Sequence, residues 1–95
     1  MIVRAVTPAD RLDDDEATLL LYEGRVVKLG PLGAAVVDLA SDPLELESLT
    51  SELERRFGVP ATGSTAEATR EAVTALIEIG VLERLDDPSP AEENA

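Results

Sequence analysis

The chain has 95 residues, a net charge of −12, and neither cysteine nor histidine. That length allows one domain with a modest core. The missing thiol and imidazole exclude disulfides, thiolate–zinc sites, thiol nucleophiles and imidazole general bases together. A surface this acidic repels polyphosphates and attracts basic partners.

Apolar residues make up 44% of the chain and are almost all Leu, Val, Ala and Ile; Tyr22 and Phe57 are the only aromatics. No apolar run approaches the roughly 20 residues that span a bilayer. No signal-peptide core follows Met1-Ile2-Val3-Arg4, so the expectation is a cytoplasmic protein that needs no membrane.

In chain order, Ile2–Val6 reads as a first strand, closed by Thr7-Pro8. Asp10 to Glu16 reads as a charged loop, because such a density of like charge resists pairing. Ala17–Glu23 and Arg25–Leu29 read as the second and third strands around a Glu23-Gly24 turn. A two-residue turn sets Tyr22 against Arg25, Leu20 against Val27 and Thr18 against Leu29 on one side of the ribbon. Leu21 with Val26 and Leu19 with Lys28 then lie on the other, so both faces are partly apolar.

Gly30-Pro31 ends the third strand and opens a first helix to about Ala40, with Leu32, Val36 and Leu39 on one stripe. A second helix from about Leu44 to Phe57 places Leu46, Leu49, Leu53 and Phe57 on one face, with Gly58 as its cap. A third helix starts at a Ser64 or Thr65 cap, carries Glu67 in its first turn and ends at Gly80. Its apolar cover is wider than one packing face requires. Val81–Leu85 returns as a short extended segment. The domain spans residues 1–86, and 87–95 is expected to be a disordered acidic tail. The predicted fold class is α+β, winged helix-turn-helix-like, with a three-stranded antiparallel sheet followed by three helices.

No phosphate-loop, dinucleotide or serine-hydrolase pattern occurs, and no serine has a base beside it. The cluster Asp13-Asp14-Asp15-Glu16 could hold a hard cation but lacks EF-hand spacing and reads as a solvated loop. Acid–base catalysis needs tuned groups in a cleft, and only carboxylates are offered, so the chain reads as a non-enzyme with no cofactor. A DNA-reading helix needs Arg or Lys, yet the third helix carries Arg70 among Glu67, Glu71 and Glu78. A winged-helix DNA regulator is therefore the alternative reading, opposed by charge. A homodimeric scaffold joined through Leu19, Leu21 and Val26 is another.

Peptide capture remains. In a three-strand meander the third strand is an edge, and an edge presents unpaired backbone groups to an extended peptide. Arg25, Val26, Val27, Lys28 and Leu29 would supply the ladder. Arg70, Val73, Leu76 and Ile77 would line the opposite wall, some of them shared with the core.

Several stretches carry a resemblance. These are Leu19–Leu29 with its Gly24, Gly30-Pro31-Leu32-Gly33-Ala34, Leu46–Gly58 with Arg56-Phe57-Gly58, and Leu76–Leu82 with Gly80-Val81-Leu82. Their order and spacing resemble the PqqD-like family of RiPP recognition elements over roughly residues 2 to 85. Gly30 stands where the family commonly has Asn, and Ala68 and Thr69 stand where an Asp-Val pair is frequent. The resemblance implies binding of a precursor's leader peptide, added as a strand beside the third strand and packed on the third helix. A free-standing acidic domain of this size looks most like the recognition protein of lasso-peptide pathways. Its implied partners are the precursor leader peptide, the leader peptidase of the same pathway and, further on, the cyclase.

Overall fold

Glu23-Gly24 is the sharpest local signal in the chain, and the hairpin it closes positions everything else. The computed structural model describes residues 1–61 and 63–86. The expected acidic tail, 87–95, lies outside the described residues.

β3 (Thr18–Tyr22) and β4 (Arg25–Leu29) pair antiparallel across the two-residue loop. Gly24 takes φ +81, a left-handed conformation that a side chain would strain. The register is the one the turn dictates: Thr18 opposite Leu29, Leu20 opposite Val27, Tyr22 opposite Arg25. Thr18, Leu20 and Leu29 are buried on the inner face, and Leu21 and Val26 are exposed on the outer one.

The third member of this sheet differs from the expectation. The acidic stretch read as a loop supplies a strand, β2 (Asp10–Asp13), pairing antiparallel with β3 in the order β2-β3-β4. Compensation explains why the like charge does not prevent it. Arg11 reaches Asp13 at 3.0 Å and Asp38 at 2.7 Å, and Thr18 donates its hydroxyl to Asp13 at 2.6 Å. The turn behind β2 is held by the Asp14 carboxylate, which accepts the backbone N–H groups of Glu16 and Ala17.

The expected first strand, β1 (Ile2–Ala5), sits elsewhere. It is the centre of a second antiparallel sheet, between β5 (Leu44–Glu45) and β6 (Leu82–Arg84). Its neighbours come from far along the chain. Leu46 donates its N–H to the Met1 carbonyl, Leu85 to that of Ile2, and Val6 to that of Val81. The Asp86 carboxylate accepts the N–H of Ile2 at 2.9 Å.

Three helices follow the hairpin. α1 (Pro31–Leu39) opens on Pro31 and buries Ala35, Val36 and Val37. Leu32, placed on the buried stripe by spacing, is 40% exposed, because the short helix turns its second half to the core. α2 (Leu46–Phe57) buries Leu49 and Leu53, begins after the β5 pairing of Leu44 and Glu45, and ends at Gly58 with φ +85. α3 (Thr65–Glu78) has the Ser64 cap, its side chain accepting the Glu67 N–H at 3.1 Å. It stops at Ile79 and Gly80, where Gly80 has φ +82. The described residues are α+β, with two three-stranded antiparallel sheets, where the sequence pattern predicts one, and three helices. The core gathers Val3 and Leu82 from one sheet, Leu20 and Leu29 from the other, and Val36, Leu49, Val73 and Leu76 from the helices. No helix is long and apolar enough to cross a membrane among the described residues.

Candidate functional site

Ladder geometry divides the β4 residues into two sets. The two-residue loop makes Tyr22–Arg25 a mutually hydrogen-bonded pair, so alternate pairs, Leu20–Val27 and Thr18–Leu29, are bonded as well. Val26 and Lys28 sit at the intervening positions, and their backbone N–H and C=O groups point away from β3. β4 is the outer strand of its sheet, so these groups form an open edge.

The other edge is less inviting. Every residue of β2 is exposed, and three of its four are the charged residues Asp10, Arg11 and Asp13. Its Arg11 is already committed to two carboxylates, and its guanidinium is held firmly charged by them, Asp38 first and Asp13 second. Asp13 is correspondingly held below the usual carboxylate range by Arg11 and then by the Thr18 hydroxyl.

Side chains on the inner face define what an added strand would meet. Arg25, although exposed, is fixed. Its guanidinium lies 4.7 Å from the centroid of the Tyr22 ring and donates to the Ile79 carbonyl at 2.5 Å. A cation at the end of α3 is favoured by the carbonyls exposed there. It also explains the glycine that follows, since a Cβ on Gly80 would come within 2.5 Å of the guanidinium. Arg25 therefore ties the turn end of β4 to the C-terminal end of α3. Tyr22 donates its hydroxyl to the Val6 carbonyl at 3.0 Å, and partial burial pushes its phenol up while Arg25 opposes the shift. Val27 and Ile77 are half-buried and pack against the core.

The sequence-selected residues thus separate into groups. Val26 and Lys28 carry the open edge, and Val27 and Ile77 offer partly accessible apolar surface. Leu29, Val73 and Leu76 belong to the core. The apolar surplus on α3 is divided at Val73, which is fully enclosed, and Ile77, which is not. Arg70 is exposed on α3 and, like Lys28, makes no ion pair among the described residues.

No family model, curated protein or solved structure matches this chain.

The sequence pattern misses one feature. A cleft of about 160 Å³ opens between α1, the end of α2 and the start of α3, lined by Leu32, Leu53, Phe57, Val59, Ala68 and Thr69. Phe57 is 50% exposed there and Val59 66%. A signal exists in hindsight: the chain's only phenylalanine is followed at once by Gly58, so it leaves the helix before its ring can be covered. The cation-site candidate Asp13–Glu16 is organised differently, since Asp14 caps the turn by accepting two backbone N–H groups. Those two bonds, that of Glu16 first, hold the Asp14 carboxyl below its ordinary range.

Proposed function

We propose that this domain captures the leader segment of a ribosomally made precursor peptide as an added strand on β4. It then presents that segment to the leader peptidase and maturation enzymes of a lasso-peptide pathway. The observation that carries the reading is the open β4 edge at Val26 and Lys28, with half-buried Val27 on the same strand and Arg25 tying its turn end to the end of α3. Backbone bonds along such an edge give affinity without regard to sequence, and alternate side chains give selectivity. Arg25 and Lys28 give β4, in a molecule of charge −12, two cations outside ion pairs among the described residues. The wet face of α3, with Glu67, Glu71 and Glu78 around Arg70, speaks against phosphate contact by a recognition helix.

The test uses a proline at an outward-facing donor. Val26→Pro removes an N–H that bonds nothing in the β3–β4 ladder, so the fold stays intact. Loss of one net hydrogen bond of about 1 kcal/mol weakens binding roughly fivefold, and the proline ring adds a steric obstacle. Calorimetric titration with a synthetic lasso-precursor leader peptide should show at least that loss, while Val26→Ala binds nearly as the parent does. Equal affinities for all three proteins would refute strand addition at β4.

A further inference from the structure

An antiparallel sheet with one face on a core normally turns polar residues to water on the other. The outer face of β2-β3-β4 does not. It presents a grid of six side chains: Asp10, Leu21 and Val26 in one row across the strands, and Leu12, Leu19 and Lys28 in the next. Leu12 is 66% exposed, Val26 59% and Leu21 42%. A hollow of about 120 Å³ opens on this face, lined by Asp10, Arg11, Leu12, Leu19 and Leu21, and it is large enough for one aliphatic side chain. At the end of the grid lies the turn Asp13–Glu16, four consecutive carboxylates, all exposed.

We infer that this outer face docks the enzyme that receives the peptide, through an aliphatic patch on that enzyme flanked by lysines or arginines. The inference rests on the proposed capture at β4, because only then does a second protein need to read the same sheet. Two physical features select this occupant. The carboxylate turn next to an apolar grid calls for a partner that is apolar at its centre and basic at its rim. The face is also continuous with the β4 edge, where Val26 and Lys28 have their side chains on the grid and their backbone groups at the edge. A strand added there widens the grid by one column, so a docked protein touches domain and peptide together.

A second copy of this chain is a poorer occupant. Two molecules of charge −12 would bring their acidic turns together.

The experiment measures three quantities for the wild type and for the double variant Leu12→Ser, Leu21→Ser. These are affinity for the leader peptide, affinity for a purified lasso-pathway leader peptidase, and mass by sedimentation. The double variant should bind the leader within twofold of the parent and lose at least tenfold for the peptidase. Peptidase binding should weaken as salt rises, and it should fall again in Asp15→Lys, Glu16→Lys, which leave the Asp14 cap in place. A double variant that binds the peptidase like the parent overturns the inference, as does a parent that does not bind it. A parent that dimerises through this face, and a variant that does not, overturns it in favour of a second copy. Failure of the parent to bind the leader strikes at peptide capture instead, and the peptidase measurement still reports on the face.

Discussion

The two sheets are of equal strand number and opposite character. The β5-β1-β6 sheet draws its strands from both ends of the described chain and the middle, buries Val3 and Leu82, and is locked by backbone bonds into flanking segments. The β2-β3-β4 sheet is sequential, leaves both edges open and turns apolar side chains outward. A side-chain tie from Tyr22 to Val6 links this sheet to the end of β1, and Arg25 links it to the end of α3 at Ile79.

The sharpest way to break this contrast is to truncate one leucine in each. Leu82→Ala removes a side chain only 2% exposed and should cost about 2–5 kcal/mol in urea unfolding. Leu12→Ala, on the outer face, should change stability by less than about 0.5 kcal/mol. Similar costs for the two would mean that the outer face is structural. A smaller effect is expected from Gly80→Ala, which forces a side chain into φ +82 and displaces the Arg25 guanidinium. The cost should be about 1 kcal/mol, read as a lower urea midpoint at unchanged slope. A neutral outcome would show that the tie between β4 and the end of α3 contributes nothing.

The smallest effect concerns pH. Asp86 is held well below its ordinary value of 3.8, by the Arg84 guanidinium first and by the Ile2 N–H second. A carboxylate that titrates lower when folded contributes stability fully above its unfolded value and loses it as pH falls through the folded one. The parent should therefore lose stability progressively below about pH 4 as such groups protonate. Asp86→Asn should lie slightly below the parent at neutral pH and converge with it in acid. Parallel curves from pH 7 to pH 2 would show that Asp86 does not participate.

How much of this was legible in the chain varies with the range of the interaction. The hairpin register follows from Glu23-Gly24 alone, and the start of α3 from Ser64 with Glu67, because both are decided within a few residues. β2 was not legible, since the Arg11 that pairs with its Asp13 is itself held in place by Asp38, 27 residues further on. β1 read correctly as a strand, but its partners at residues 44–45 and 82–84 carry no local mark. The β4 edge was visible from alternation and turn length. The fate of the α3 stripe was not, because Val73 and Ile77 are equally apolar and only packing distinguishes them.

Three consecutive leucines, Leu19-Leu20-Leu21, opposed by Val26-Val27, say almost nothing about which side of the ribbon belongs inside. A slip of one residue would exchange one greasy surface for another at little hydrophobic cost. The hydroxyls at the two ends of β3 discriminate where the leucines cannot: Thr18 reaches Asp13 and Tyr22 reaches the Val6 carbonyl only in the observed alignment. The Glu23-Gly24 turn sets which residues pair, and two polar atoms, the Thr18 and Tyr22 hydroxyls, mark which face of the ribbon turns inward.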